Sequence, residues 1–243
     1  MSTFWGPLRD RTPARIGLSR AGDAAATRHV LESAEALALA RDAVHGRLDV
    51  DRLRTELRGL GLGEPVHVPS AAPDRPAFLR RPDLGRRPAG DVDLPAANLA
   101  LVVADGLSAE AAARHATGVL TALLPELRDG LTAGWTIGPP VIATQARVAL
   151  GDHVGAAQGA MLGLVLIGER PGLSAHDSLG AYLTWAPAPG TADSARNCVS
   201  NIRPPYGLDH AAAAHTLARL IAGAQRIEAT GVRLKDTSGL LES

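Results

Sequence analysis

Residues 98–106 read NLALVVADG. A strand with one wet face alternates apolar and polar residues, so an unbroken apolar run that stops at Asp105-Gly106 predicts a strand buried on both faces. Ser108 follows as a candidate helix N-cap, and Ala116, Val119, Leu120, Leu123, Leu124 and Leu127 then recur as one helical stripe. Further on, Pro139-Pro140 closes a loop before PVIATQARV, a second strand candidate. Asp152 to Ala160 reads as a short helix, Met161 to Gly168 as a third strand and Leu179 to Trp185 as a fourth. A last helix begins near Asp209 and carries Ala214, Leu217, Ile221 and Ala224 on one face. Alternating strands and helices predict an α/β fold over residues 98–243: a doubly wound, Rossmann-like, mostly parallel sheet with helices on both faces.

Toward the N-terminus the pattern changes. Residues 1–63 read as a helical extension, with Val30, Ala34, Leu37 and Val44 on one helix face and a second helix from Val50 to Leu60. The glycines at 59, 61 and 63 end it. Residues 64–97 hold seven prolines (65, 69, 73, 76, 82, 88 and 95) with Arg80, Arg81, Arg86 and Arg87 among them. That composition predicts a proline-rich linker, or an arm laid across a partner.

Composition narrows the function. Lys+Arg and Asp+Glu are both 25, so the formal charge is zero and gives no support to nucleic-acid or anionic-membrane binding. Aromatics are 3%, too few for stacking platforms on single-stranded nucleic acid. Cys198 is the single cysteine, which excludes an internal disulfide framework and a Cys-rich metal site. No apolar run approaches the ~20 residues of a membrane span. The N-terminal MSTFWGPLRDRTP lacks the apolar core of a secretory signal, so the expected location is cytoplasmic.

In open α/β sheets ligands sit beyond the carboxyl ends of the strands. The loops to watch are therefore 104–108, 147–152, 168–173 and 186–203. They carry Asp105, Ser108, Arg147, Asp152, Glu169, Arg170, Cys198, Ser200, Asn201 and Arg203. Familiar signatures are absent: no G-x-G-x-x-G follows a strand, no Walker A sequence occurs, Gly172-Leu-Ser174 lacks the last glycine of a nucleophile elbow, and no H-E-x-x-H is present. His210 and His215 are five apart and face different ways on a helix. Cys198 reads as a small buried residue, a ligand-contacting loop residue or a nucleophile. Glu169 reads as a turn carboxylate paired with Arg170, or as an acceptor for donors on a ligand.

At these loops the wording itself is informative. TPARIGLSRAGD (12–23), ARDAVH (40–45), ADGLSAEAAARHA (104–116), QARVALGD (145–152), IGERPGLSAHDSLGAYLTWAP (167–187) and RNCVSNIRP (196–204) resemble, in order, the light chain of ethanolamine ammonia-lyase. Residues 64–97 resemble it least. The resemblance implies one subunit of an adenosylcobalamin-dependent lyase that converts ethanolamine to acetaldehyde and ammonia. It implies a TIM-barrel heavy chain that holds the substrate, with the cofactor lying between the two chains. Cobalt–carbon homolysis would supply the hydrogen-abstracting radical, and protein would supply position and shielding. Motif by motif, it implies cobalamin contacts at Val148 and Cys198 through backbone groups and shape, and at Glu169 as an acceptor. The amides of a corrin suit a carboxylate and loop carbonyls better than a basic cluster.

Asp152-His153-Val-Gly155 places its histidine one residue early for D-x-H-x-x-G, so no protein histidine is expected on cobalt and the cofactor keeps its own base. Family members with a longer segment ahead of the TPARI block can be directed to a bacterial microcompartment. Eleven residues precede Thr12 here, which leaves cytoplasm and microcompartment both open. In this picture residues 12–63 dock their apolar stripe on the heavy chain or on the α/β core. Two other readings stay open: a self-sufficient small α/β hydrolase using Cys198 or Ser200, and a non-catalytic cobalamin carrier.

Overall fold

The computed structural model describes residues 4–12, 14–130 and 134–235. Six strands form one sheet: β1 (Val66–Pro69), β2 (Leu99–Ala104), β3 (Val141–Thr144), β4 (Leu162–Gly168), β5 (Leu179–Trp185) and β6 (Arg196–Ile202), in the order β1-β3-β2-β4-β5-β6. The first four of that order run parallel, while β5 is antiparallel to β4 and β6 to β5. The helices longer than one turn are α1 (Thr27–His45), α2 (Val50–Arg58), α3 (Arg75–Arg80), α4 (Ala109–Gly130), α5 (Leu150–Ala157) and α6 (His210–Ile227).

The double burial of 98–106 has a simple origin. Leu99, Leu101 and Val103 point into a core shared with α4 and α6, while Ala100, Val102 and Ala104 point into a second core shared with α5. All six residues of β2 are buried. Helix starts follow local capping chemistry. The Ser108 hydroxyl accepts from the Ala111 N–H at 3.2 Å, the Asp49 carboxylate from Arg52 N–H at 3.0 Å, and the Asp209 carboxylate from Ala212 N–H at 2.7 Å. The α/β doubly wound reading of the sequence is the architecture found.

Three expectations change. Residues 64–97 are not merely a linker or arm. Val66–Pro69 pairs with β3 as the edge strand, and Asp74, accepting from the Ala77 N–H at 2.7 Å, caps α3. Prolines are tolerated there because an edge strand leaves one row of backbone donors unused. Within the segment 186–203, expected as a loop, residues 196–202 form β6. Its mixed burial is that of a strand with one face on the core and the other open, so it shows no apolar run. On α1 the face turned inward is His29, Ala36, Ala40 and Ala43, whereas Val30, Ala34 and Leu37 are exposed and Val44 half-buried. Small residues let α1 sit close to α4, and the larger apolar side chains are left outside.

The antiparallel β5–β6 pair is fastened to the parallel part by a buried ion pair. Arg196 at the start of β6 donates to both carboxylate oxygens of Asp152 on α5, at 2.6 and 2.7 Å, and both side chains are 2% exposed. Arg196 also donates to Thr184 Oγ1 on β5 and to the Thr191 carbonyl, both at 2.9 Å. Removing one partner leaves an uncompensated buried charge. Asp152→Ala should therefore lower unfolding stability by about 3–5 kcal/mol in urea denaturation. Asp152→Ala combined with Arg196→Met should recover a large part of that loss. A single substitution as mild as an exposed one would show that the pair does not anchor the sheet.

Candidate functional site

The loops after β2 and β4 meet at the topological switch point. From β2 the chain crosses to β3 on one side, while from β4 it passes to β5 on the other, so a crevice opens between their carboxyl ends. The two loops touch backbone to backbone: Leu107 N–H donates to the Gly168 carbonyl at 3.0 Å. Gly106 has φ +53°, and a Cβ there would lie 2.2 Å from that same carbonyl oxygen, so only glycine fits. Asp105 braces this end from below. One carboxylate oxygen accepts from Gln145 N–H at 2.7 Å and the other from Ala146 N–H at 3.0 Å, which ties β2 to the loop after β3. Burial pushes the Asp105 carboxyl upward, opposed by these N–H donors and by Arg75.

Beyond these loops lies a cleft of about 600 Å³ lined by residues of the loops after β2, β3 and β4 together with Tyr182 of β5 and the start of β6. Val148 and Glu169, predicted from separate motifs, both line it. Cys198 lies beside it, opposite Tyr182 in the β5–β6 register. The structure thus brings the three predicted residues to one place.

Glu169 is held by three donors. Ser178 Oγ donates to its Oε2 at 2.6 Å, Ser200 Oγ to Oε1, and the Asn201 N–H to Oε2 at 3.2 Å. Its side chain lies across Gly180 of β5, where an added Cβ would come within 2.9 Å of Oε1. The alternative pairing of Glu169 with Arg170 does not occur among the described ion pairs. A carboxylate fixed in this way keeps further acceptor capacity toward the cleft.

Cys198 is an exposed residue whose sulfur is nonetheless partly desolvated, and it is the register partner of Tyr182 on β5. Burial of the sulfur pushes the thiol pKa up, the Tyr182 hydroxyl works against this, and the Glu169 carboxylate adds to it. The Tyr182 phenol is itself pushed upward, by burial first and then by Cys198 and Glu169. A thiol raised in this way is protonated at neutral pH and is a poor nucleophile. Among the described hydrogen bonds no histidine reaches Cys198, and Ser200 is committed to Glu169. The histidines noted in the last helix go elsewhere: His210 to His115 at 3.1 Å and His215 to Glu126 at 3.2 Å. Among the described residues, no group of three or more His, Cys, Asp or Glu is arranged to hold a metal ion. Sequence reasoning did not single out Tyr182, Asp193 and Arg196, although Tyr182 and Arg196 lie inside the quoted blocks 167–187 and 196–204, because only the folded sheet shows that these strand and turn positions face the cleft. Arg147 and Arg170 were among the loop residues singled out from the sequence, and the fold adds Arg86 from a distant part of the chain to the same cleft.

The chain is of the doubly wound α/β class, in which a crevice at the switch point is the usual place for a ligand. The family model described as "Ethanolamine ammonia-lyase light chain (EutC)" matches residues 2–235. The ethanolamine ammonia-lyase small subunit of Rhodococcus erythropolis is 49% identical over 237 residues, spanning 97% of this chain and 91% of that protein. The small subunit of Bradyrhizobium diazoefficiens is 49% identical over 239 residues, 95% and 90%, and that of Ralstonia nicotianae 45% over 248 residues, 96% and 88%. The chain belongs to the ethanolamine ammonia-lyase light-chain family, and is thus a subunit of a lyase.

The raised thiol gives a direct measurement. Alkylation of Cys198 by iodoacetamide in the purified chain should be slower at neutral pH than that of a free cysteine. Its rate should keep rising beyond the ordinary cysteine value of about 8.5. An inflection below that value would restore the nucleophile reading.

Proposed function

We propose that this chain is the small subunit of an adenosylcobalamin-dependent ethanolamine ammonia-lyase, and that its cleft holds one side of the cofactor while a large subunit covers the other. The observation that carries this reading is Glu169, immobilised by three donors at the switch point and flanked by Val148 and by the open face of β5–β6. A corrinoid is larger than the 600 Å³ cleft, so a pocket completed by a second chain suits it. Its rim of side-chain amides offers N–H donors, and the fixed carboxylate of Glu169 is an acceptor that, among the described residues, has no competing lysine or arginine pair. Val148 is half-buried against the α5 core and presents an apolar surface with its backbone, and Cys198 adds a protonated thiol. When bound, adenosylcobalamin supplies the radical chemistry; the residues of this chain hold its periphery and exclude water on this side.

The relatives' names call each a small subunit, which supports a large partner. We place the partner's footprint on α1 as well as on the cleft rim. Val30, Leu31 and Leu37 are 54%, 63% and 62% exposed, and the inward face of the same helix is already filled. The raised thiol and the committed Ser200 speak against a self-sufficient hydrolase. The cytoplasm, free or inside a microcompartment, is the proposed location. Among the described residues, no helix is long and apolar enough to cross a membrane.

The defining experiment is joint expression with a large subunit. Acetaldehyde should form from ethanolamine only when both chains and adenosylcobalamin are present, and activity from this chain alone would defeat the proposal. Glu169→Ala should raise the apparent cofactor Kd about ten- to a hundredfold, the worth of one charge-assisted hydrogen bond, and should change ethanolamine affinity less. The reverse pattern would remove Glu169 from the cofactor site. Leu37→Asp should leave the melting temperature of the isolated chain within about a degree or two, because surface changes cost little. It should markedly weaken co-purification with the large subunit, and unaltered assembly would exclude α1 from the interface.

A further inference from the structure

Among the described residues, the cleft holds a cation with no counter-ion. Arg147 lines it on the loop after β3, next to Val148. Its guanidinium lies 4.5 Å from the centroid of the buried Phe78 ring, whose surroundings Arg75 shares at 4.9 Å. That contact fixes the plane of the group without neutralising it. Arg147 Nε is buried with no hydrogen-bond partner, and among the described residues no carboxylate lies within ion-pair distance of the side chain. Burial pushes its pKa down, Asp105 partly opposes this, and the like charge of Arg86 adds to it. Arg86, on the same cleft, has only a 3.8 Å contact with Asp193. The two carboxylates that line the cleft are therefore unable to serve: Glu169 is held by its own donors and Asp193 faces Arg196 and Arg86. A guanidinium that is partly desolvated, oriented by a ring and left unpaired is built for an anion with several acceptor oxygens.

The geometry points to Arg147 as the contact for a phosphodiester group of the bound ligand, with Arg86 in support. It rests on the cobalamin reading above: the neutral corrin periphery falls to Glu169, and the anionic phosphodiester of the nucleotide arm falls to Arg147. Arg147 is then a specificity residue that separates a corrinoid carrying the nucleotide arm from one lacking it.

The test uses the assembled two-subunit enzyme and equilibrium binding followed by absorbance, with cyanocobalamin and with dicyanocobinamide, which has no phosphodiester arm. Arg147→Gln should weaken cyanocobalamin binding about ten- to a hundredfold and leave dicyanocobinamide binding unchanged. Arg147→Lys, which keeps the charge but loses the planar fork, should fall between. In the unsubstituted enzyme, millimolar inorganic phosphate should compete with cyanocobalamin and not with dicyanocobinamide, a readout that needs no variant to fold. Equal weakening for both corrinoids would make Arg147 a packing residue of the Phe78 site and overturn the assignment, as would no weakening for either together with no effect of phosphate. If neither corrinoid binds the unsubstituted enzyme, the cobalamin reading itself falls, and the assignment of Arg147 with it.

Discussion

The buried carboxylate of Asp105 holds the ligand-facing end of the sheet together. It terminates the apolar β2, and it accepts from two successive N–H groups of the loop after β3. It also sits 3.4 Å from Arg75, which donates in turn to the Gly106 carbonyl at 2.8 Å and the Val44 carbonyl at 2.7 Å. One charge thus registers three separately folded pieces: the switch-point loop, the loop that carries Arg147 and Val148, and the end of α1. The carboxylate is tolerated in the interior because its acceptors are met by donors. Were the loop after β3 to drift by an ångström, Val148 and Arg147 would leave the line of Glu169, and a ligand spanning them would lose its register.

This dependence explains how the N-terminal extension bears on the site without lining the main cleft. Arg75 lies in α3, within the proline-rich stretch, and its Nε and Nη1 bonds reach α1 and the switch point at once. The prolines around it do not make the stretch loose. They shape a path from the edge strand β1, through α3, to the Leu84–Arg86 turn that delivers Arg86 to the cleft. The stretch resembling the family least nonetheless furnishes a sheet edge, a brace and a charged residue of the rim.

What was legible in the sequence follows from where side chains are buried. β2 and β4 are buried on both faces and announce themselves as apolar runs. The helix starts at Ser108 and Asp209 announce themselves through capping chemistry. β1 is four residues flanked by prolines and β6 is wet on one face, so neither shows a run or a clean alternation. The direction of β5 was hidden because a buried strand looks alike in either direction; only the short reach from Gly168 to Leu179, too brief for a crossover helix, hinted at it. On α1 the larger apolar residues suggested the inner face. The packing inverted this, since Ala36, Ala40 and Ala43 allow a closer approach than leucine does.

The site was legible to a different depth. Val148, Glu169 and Cys198 were named from motif wording, and geometry then gave Glu169 its three donors and Cys198 its raised thiol. The basic side of the cleft was not readable, since residues 86, 147 and 170 are brought together only by folding, against a total charge of zero. Neutral composition is a statement about sums, whereas recognition depends on local imbalance left after ion pairing. Here Arg196 is paired with Asp152, while among the described residues Arg147 has no carboxylate within ion-pair distance. The two walls of the cleft therefore differ in kind: a fixed acceptor on the β4–β6 side and an unpaired donor on the β3 side. A ligand that satisfies both must carry neutral N–H donors at one edge and an anionic arm at the other. On the proposed reading, that requirement would make the cleft directional and would set which way round the ligand lies.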